Sequence, residues 1–278
     1  MALSLHNGGR LVCHYCGYET KSPGTCPKCA SPYIGGFRAG TQQIEEIVKK
    51  RFPAARVLRM DLDTTRNKDG HARILSAFAN QEADILIGTQ MIVKGHDFPN
   101  VTLVGVLAAD LSLNVSDYRA GERTFQLLTQ AVGRAGRGEV CGEAVIQTYQ
   151  PDNYSIQAAA AQDYTEFYRQ EIAYRQLMSY PPASNLFAVH ASCEDGALLD
   201  MAMTYLRKYL RKIDPKEKAA VIVPADAAIP RIEDRYRKVI YIKHEDYRQL
   251  VRLKDQLERY MEINSGFQKI RIQFEFNH

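Results

Sequence analysis

The chain has 278 residues, of which 45% are hydrophobic and 24% are charged, so it has the composition of an ordinary globular protein with room for about two domains. It contains neither an apolar run of membrane length nor a secretory signal pattern, which favours a cytoplasmic protein without a membrane partner. The net charge of +4 permits nucleic-acid binding but does not demonstrate it.

Two CxxC pairs lie near the start of the chain. Residues 1–9 show no periodicity, and we expect them to be a leader outside the fold. A CxxC turn directs two thiolates towards one tetrahedral cation, and two such turns complete a four-sulfur zinc site. The nine-residue spacer is shorter than usual, and two unrelated turns are the alternative. Residues 10–34 are therefore predicted to be a zinc-binding module. Its candidate metal ligands are Cys13, Cys16, Cys26 and Cys29.

Residues 35–150 alternate between helix and strand patterns. The predicted strands are 56–61, 83–90, 101–109 and 143–149, and the predicted helices are 42–51, 71–79 and 119–132. Strands without in-and-out alternation, separated by helices, indicate a parallel sheet covered on both faces. In such sheets, ligands bind at the carboxyl ends of the strands. There the sequence places Thr89, Lys94, Asp97 and Asp110, and we expect two arginines nearby.

The two arginines are Arg134 and Arg137, which glycines flank at a predicted helix end. A planar, permanently charged guanidinium on an open backbone suits an anion. An arginine that reaches the transferring phosphate of a nucleotide typically accelerates the reaction by about 10³–10⁵. The alternative is a glycine-rich turn with solvated arginines. The Gly-Thr-Gln sequence at the end of the preceding strand favours the nucleotide interpretation.

The remaining residues predict a linker helix and a second domain. Residues 151–184 are predicted to be a linker. It contains a helical pattern over 154–178, which Pro181 and Pro182 end. Residues 185–278 then have the order β-α-β-β-α-β, which is the α+β arrangement of ferredoxin-like domains. The central connection, 228–238, is basic and contains Arg235 and Arg237. It is either a single-stranded DNA contact or a solvated hairpin loop.

Three sequence blocks resemble a known family. GTQM at 88–91 and KGHDFP at 94–99 look like the fifth motif of superfamily 2 helicases, and QAVGRAGR at 130–137 looks like the sixth. In this particular form, with the cysteine pairs upstream and the tail downstream, the chain resembles the PriA-type replication-restart helicases (primosomal protein N′). The resemblance implies an α/β fold with a RecA-like second helicase lobe, a small cysteine module and a C-terminal domain.

The resemblance also implies roles for individual residues. Arg134 and Arg137 would contact the nucleotide phosphates, and Gln130 would couple the nucleotide to the opposite lobe. Gly95 and Asp97 match positions near the ribose. The resemblance implies that Thr89 contacts the DNA backbone and that Lys94 contacts either DNA or the nucleotide. It also implies that Arg235 and Arg237 in the C-terminal domain contact single-stranded DNA.

Cofactors and partners follow from the same resemblance. No GxxxxGK[ST] phosphate loop and no DExH box occurs in the sequence, so ATP and Mg²⁺ would be bound together with a preceding lobe. The chain alone is therefore predicted to be inactive. The family's two zinc sites are interleaved, so the two CxxC pairs here would belong to different sites and form a partial module. They would share one zinc, stay empty or pair with another copy.

The resemblance implies an ATP-dependent 3′→5′ DNA helicase that acts in replication restart and primosome assembly at stalled forks in the bacterial cytoplasm. Its partners would be single-stranded and forked DNA, single-stranded DNA-binding protein, and primosome and helicase-loading proteins. One alternative is another superfamily 2 translocase. The other is a non-catalytic scaffold that binds zinc and nucleic acid, which the missing phosphate loop favours for this chain taken by itself.

Overall fold

A computed structural model describes most of the chain, and the residues it describes are 4–6, 9–12, 19–27, 29–32, 40–65, 69–93, 98–115, 117–136, 141–214, 219–222 and 224–277. The chain divides into two compact units. One unit is Gly35–Glu171, and the other combines Met1–Ile34 with Ile172–His278. None of the described helices combines the length and the apolar composition that crossing a membrane requires.

The first residues form a small antiparallel sheet. Its strands, in spatial order, are β1 (Ser4–His6), β2 (Arg10–Val12) and β3 (Glu19–Lys21). Ser4 pairs with Val12, and Arg10 pairs with Lys21. Backbone pairing with β2 thus includes Ser4–His6, although residues 1–9 have no hydrophobic periodicity and were expected to be a leader.

The unit Gly35–Glu171 contains helices and short strands in alternation. In chain order they are α1 (Thr41–Arg51), β4 (Val57–Met60), α2 (Gly70–Ala79), β5 (Ile85–Gly88), a 3-10 turn (Gln90–Val93), β6 (Leu103–Val106), α3 (Asp110–Leu113), α4 (Ala120–Val132), β7 (Glu143–Ile146), α5 (Tyr154–Ala160) and the start of α6 (Tyr164–Met178). The strands pair in parallel, β4 with β5 and β6 with β7, as the alternation with helices predicts.

The prediction of one sheet covered on both faces is wrong for the described strands. They form two separate two-stranded sheets. Along β6 and β7, exposed and half-buried residues alternate, and Leu103 and Val145 are 61% and 53% exposed. One face of this pair is therefore open, while α4 packs on the pair from the other side.

Apolar side chains of α4 and the following helices form the core beside β6 and β7. Phe125 and Leu128 of α4 are buried against Ile156 and Phe167. The rings of Phe125 and Phe167 stack with centroids 4.1 Å apart. Each fully buried side chain of this size contributes about 1.5–3 kcal/mol, so the core holds α4 firmly and fixes the position of its C-terminal end.

The helical pattern predicted over 154–178 is two helices. The chain breaks between α5 and α6, where Gln162 has a φ of 52°. The Asp163 side chain accepts a hydrogen bond from the Glu166 N–H at 2.9 Å and so caps the second helix. Asn153 caps α5 in the same way, accepting from the Ser155 N–H at 2.9 Å.

Residues after 184 form a five-stranded antiparallel sheet with two helices. The elements are β8 (Asn185–Cys193), α7 (Gly196–Ile213), β9 (Ala220–Val221), β10 (Ala225–Ile232), β11 (Arg235–His244), α8 (Tyr247–Ile263), a 3-10 turn (Ser265–Phe267) and β12 (Arg271–Phe276). The spatial order is β10-β11-β8-β12, and the short β9 pairs with the far end of β11.

The basic connection predicted over 228–238 is a hairpin of β10 and β11 and not a long loop. Only Glu233 and Asp234 lie between the strands, with φ values of 48° and 61°. Two-residue hairpin turns of type I′ require positive φ at both positions, which acidic and amide side chains tolerate. Arg235 and Arg237 therefore lie on a strand.

The two helices cover one face of this sheet. Leucines of α7 and α8 pack on Phe187, Val189, Ile240 and Ile242, all of which are fully buried. Asp195 caps α7 by accepting from the N–H groups of Ala197 and Leu198 at 2.9 and 3.1 Å, and Asp246 caps α8 by accepting from the Arg248 N–H at 2.8 Å. Each such cap contributes about 0.5–2 kcal/mol.

Candidate nucleotide and nucleic-acid sites

The end of β5 admits only glycine. Gly88 pairs with Met60, and a Cβ atom added to Gly88 would lie 2.7 Å from the Met60 carbonyl oxygen and 2.6 Å from Cγ2 of Ile92. The next residue, Thr89, is exposed, and its carbonyl oxygen accepts from the Ile92 N–H at 3.1 Å. The close approach at Gly88 thus directs the chain into the 3-10 turn and leaves Thr89 accessible.

Of the residues predicted for the loop after β5, Lys94, Gly95 and Asp97 lie outside the described residues. Immediately beyond them, Phe98 is buried, with its ring edge-on to Phe78 at 5.0 Å. The loop therefore returns to the core at a fixed point.

The predicted arginine turn begins where α4 ends. Gln130 is exposed in the last turn of this helix. The chain then continues through tight turns, in which the Arg134 N–H donates to the Ala131 carbonyl at 3.0 Å. The Gly136 N–H donates to the Val101 carbonyl at 3.0 Å, which ties the turn to the residues just after the loop of Lys94 and Asp97.

The structure corrects the expected position of Arg134. Arg134 is half-buried, and the turn that contains it is bonded to Val101, which precedes the N-terminal end of β6. Asp110 follows the carboxyl end of that strand. The arginines were expected at the carboxyl ends of the strands, but α4 runs back along β6 and delivers Arg134 to the opposite end. Arg137 lies outside the described residues.

Gly136 explains the glycine pattern of this turn. Its φ of +70° lies in the left-handed region, and a Cβ atom there would overlap the backbone of Gly142. A Cβ atom on Gly142 would in turn overlap the backbone of Gly136. Both glycines belong to the connection between α4 and β7, whose two ends approach each other at backbone distance, so both glycines serve to position the turn.

Asp110 is a buried carboxylate at the carboxyl end of β6. It is 6% exposed and accepts from the Thr148 hydroxyl at 2.8 Å and from the Tyr149 N–H at 3.0 Å. Burial by itself raises the pKa of Asp110, but the hydrogen bonds from Tyr149 and Thr148 outweigh burial and hold the pKa below its ordinary value. Asp110 thereby joins α3 to the end of β7, which makes it a structural carboxylate.

Replacing Asp110 by asparagine is expected to destabilise the unit Gly35–Glu171 by about 1–3 kcal/mol. The amide nitrogen of asparagine is a donor, and it would face the Thr148 hydroxyl and the Tyr149 N–H, which are donors themselves. The folded-state pKa is lowered, so the contribution of the wild-type carboxylate is complete above the unfolded pKa near 3.8 and is lost as the pH falls below it. Urea unfolding between pH 7 and pH 3 should show this loss in the wild type and a flatter profile in the variant.

The control for this experiment is Asp152→Asn, which changes an exposed carboxylate of the same unit. It should alter stability by less than about 0.5 kcal/mol. Equal stability of Asp110→Asn and Asp152→Asn at pH 7 would contradict the structural role of Asp110.

Of the four predicted metal ligands, Cys13 and Cys16 lie outside the described residues. Cys26 and Cys29 lie in a tight turn, in which the Cys26 N–H donates to the Ser31 carbonyl at 2.9 Å and the Ala30 N–H donates to the Cys26 carbonyl at 2.8 Å. Within the described ranges, no cluster of three or more His, Cys, Asp or Glu side chains could hold a metal ion.

The two arginines predicted for DNA contact differ in their surroundings. Arg235 donates to the Glu194 carboxylate at 2.8 Å and to the Ser192 carbonyl at 3.3 Å, so its guanidinium has internal partners. Arg237 is half-buried and has no ion pair in the described part of the chain. Sequence reasoning placed both in one loop and missed that strand pairing brings Arg271 of β12 to the same side of the sheet as Arg237.

Comparison with known proteins gives two matches to family models. Residues 36–139 match the helicase conserved C-terminal domain, and residues 176–275 match the primosomal protein N C-terminal domain. The chain is 50% identical over 254 residues to the replication restart protein PriA of Bacillus subtilis, which covers 91% of this chain and 31% of that protein.

Further relatives carry the same name. The identity is 41% over 252 residues with PriA of Synechocystis, which covers 89% of this chain and 30% of the relative. It is 46% over 189 residues with PriA of Chlamydia trachomatis, which covers 67% of this chain and 25% of the relative. The chain thus spans a third or less of the length of these curated relatives.

Parallel strands with a GTQ loop and a GRAG turn, followed by a separate mixed α/β domain, define a helicase C-terminal lobe with an appended domain. Both parts match family models in the same order. The chain belongs to the PriA family of replication restart proteins.

Proposed function

We propose that this chain forms the second motor lobe and C-terminal domain of an ATP-dependent 3′→5′ DNA helicase of the PriA type. The complete protein would act in replication restart and primosome assembly at stalled forks in the bacterial cytoplasm. The observation that carries the proposal is the presence of the helicase C-terminal match and the primosomal protein N match in one chain, at 36–139 and 176–275.

The nucleotide would bind to the GRAG turn and the neighbouring loop. Arg134 and Arg137 would contact the phosphates of ATP, and Gln130 would transmit the nucleotide state to the other lobe. Gly95 and Asp97 would approach the ribose. The hydrogen bond from Gly136 to Val101 supports this grouping, because it places the arginine turn next to the return of the loop.

Magnesium and the attacking water would be held outside the described part of this chain. No described cluster of acidic, histidine or cysteine side chains fits a metal site, and the sequence has neither a phosphate loop nor a DExH box. The role of the chain's own residues is therefore to neutralise phosphate charge and to couple two lobes. A lobe that carries the other motifs would bind Mg²⁺ with ATP.

DNA would be held by contacts that carry no sequence information. Thr89 is exposed at the end of β5 and suits a backbone contact, and Lys94 would serve DNA or nucleotide. Arg235 and Arg237 would contact single-stranded DNA from the C-terminal domain. Phosphate and sugar contacts hold a strand without reading its bases, which translocation requires. The partners would be forked DNA, single-stranded DNA-binding protein, and primosome and helicase-loading proteins.

The finer structural assignments belong to the same proposal. The antiparallel order β10-β11-β8-β12 with two helices on one face supports a ferredoxin-like C-terminal domain. The paired cysteines and the tight turn at Cys26 support a partial zinc module at residues 10–34.

The test is reconstitution of ATP hydrolysis. The purified 278-residue chain is expected to hydrolyse no ATP with or without single-stranded DNA, because the phosphate loop is absent from its sequence. Adding the family's phosphate-loop lobe, itself inactive, should produce DNA-stimulated hydrolysis. DNA-stimulated hydrolysis by the chain alone that Arg137→Ala abolishes would contradict the proposal. If the two inactive parts remain inactive when joined in one polypeptide, the non-catalytic scaffold would be the better explanation.

A further inference from the structure

The face of the C-terminal sheet opposite α7 and α8 carries a row of polar side chains on three adjacent strands. Ser192 of β8 pairs with Arg237 of β11 on one side and with Arg271 of β12 on the other. Residues that pair directly across strands point to the same face. Since neighbouring strands lie about 4.8 Å apart, the two arginines flank the Ser192 hydroxyl with their backbones about 10 Å apart.

The next row on this face adds further polar groups. His190 pairs with Gln273, and the Gln273 side chain is exposed. Together with Ala227 and the backbone below, these rows enclose a shallow cavity of about 270 Å³. Its lining includes the donor side chains of Ser192, His190, Arg237, Arg271 and Gln273, and also Lys238, which pairs with Asp200 and Asp226.

The charge of this cavity is positive. In the part of the chain that the structure describes, neither Arg237 nor Arg271 has a carboxylate partner. Two acids of this sheet are engaged with other residues: Glu275 lies 3.2 Å from Nε2 of His190, and Glu194, which follows β8, lies 2.8 Å from Arg235. Two guanidinium groups that face one cavity without an acid favour an anionic ligand.

Only one end of the face is accessible. At the other end, Ala188 and Leu186 are 2% and 4% exposed. Lys243 is 8% exposed, and its ammonium donates to the Met178 carbonyl at 2.7 Å and lies 3.5 Å above the Tyr180 ring. The ligand surface is therefore the end with Arg237 and Arg271, and the segment around Tyr180 closes the remainder.

We infer that Arg237, Ser192 and Arg271 bind the phosphodiester backbone of single-stranded DNA on the open face of the C-terminal sheet. This inference rests on the proposed function and specifies its DNA contact. The contact is made by three adjacent strands, and Arg237 and Arg271 are its main charged groups. Arg235 adds positive charge beside them at the strand end, where Glu194 holds its guanidinium. Arginine forks and a hydroxyl are donors that match phosphate oxygens.

The shape and chemistry of the surface favour a single strand over a duplex. A shallow cavity across three strands gives an extended strand a platform, as open sheet faces do in other single-strand binding domains. The row offers arginine and hydroxyl donors and no aromatic ring for stacking. The contact therefore addresses phosphates rather than bases, and binding should be independent of sequence.

The test is binding of a fluorescently labelled 20-nucleotide oligo-dT to the 278-residue chain, measured by anisotropy at several salt concentrations. The variant Arg237→Gln with Arg271→Gln removes two phosphate contacts from an exposed face. The slope of log K against log salt should then decrease by about 1.4, and the affinity at 0.1 M salt should fall by about 10- to 30-fold. Replacing both arginines by lysine keeps the charge and removes the fork, and should give an intermediate loss.

The matched control is Arg211→Gln with Lys212→Gln, which removes two exposed positive charges from the last turn of α7, on the helix side of the same domain. This control should keep more than half of the wild-type affinity. Equal losses in both double variants, or equal competition by poly-glutamate, would show non-specific attraction and overturn the inference. Absence of oligo-dT binding by the wild-type chain would also overturn it.

The proposed function has a separate readout. If the reconstituted ATPase is stimulated by DNA while the glutamine variant binds oligo-dT as the wild type does, the helicase assignment stands and the sheet-face contact is wrong. If oligo-dT binding depends on both arginines but no ATPase can be reconstituted, the contact stands and the motor assignment fails.

Discussion

Replacing Gly136 by alanine is expected to destabilise the unit Gly35–Glu171 by about 2–4 kcal/mol. Two effects add here. The φ of +70° costs an L-residue about 1–2 kcal/mol, and the new Cβ atom would overlap the backbone of Gly142, which cannot rotate away as a side chain would. Because Gly136 bonds to Val101, the adjustment would also move the turn that carries Arg134.

Urea unfolding followed by circular dichroism measures the loss of stability. Hydrogen exchange of peptides from residues 120–147 then shows whether the loss lies in the unit Gly35–Glu171. The control is Gly105→Ala in β6, where a Cβ atom meets nothing within 4 Å and φ is not positive. That variant should be neutral or stabilising by up to about 1 kcal/mol. If Gly136→Ala is as stable as Gly105→Ala, the close backbone approach of Gly136 and Gly142 is wrong.

The sequence predicted the elements of the helicase lobe well, because apolar runs and caps are local signals. The strands at 57–60, 85–88, 103–106 and 143–146 fall inside the predicted ranges, and so does most of α4. Their parallel pairing followed from the alternation with helices. The glycines at 88 and 136 were visible as a motif, but the reason for each depends on the folded backbone: Gly88 lies against Met60, 28 positions earlier, and Gly136 lies against Gly142 where the connection folds back on itself.

The prediction failed where tertiary contacts decide. The open face of β6 and β7 could not be read from strands whose residues are apolar on both sides. The position of Arg134 depends on the direction in which α4 runs back along β6, and the sequence does not encode that direction locally. A hairpin loop was one of the two interpretations of residues 228–238, but its two-residue turn at Glu233 and Asp234 was not predicted, because neither residue is a glycine or an asparagine, the usual signals of such turns.

The candidate DNA surface shows the same limit more clearly. Arg237 was found because basic residues cluster near it in sequence. Arg271 lies 34 positions later and joins it only through the antiparallel order β11-β8-β12. Residues on every second position of three strands form one surface, and no single-segment pattern reports which strands are neighbours.

Replacing Arg137 by alanine in a polypeptide that joins this chain to its phosphate-loop lobe is expected to lower kcat for DNA-stimulated ATP hydrolysis by about 10³–10⁵, which corresponds to roughly 4–7 kcal/mol. The reason is electrostatic. Phosphoryl transfer spreads negative charge over the transferring group, and a guanidinium delivered across the cleft offsets it in the transition state more than in the ground state. The KM for ATP should therefore change by less than about threefold while kcat falls.

The same experiment separates this role from a structural one. Arg137→Lys retains the charge without the planar fork and should recover only part of the rate. Arg134→Ala should also reduce kcat, whereas Arg123→Ala should leave it within about twofold, because Arg123 is an exposed residue of α4 that pairs with Asp117 at 2.8 Å. A kcat that falls less than tenfold in Arg137→Ala, with the protein still folded, would remove this arginine from the reaction. The GRAG turn would then be a positioning element, and the phosphate charge would have to be offset entirely by the other lobe.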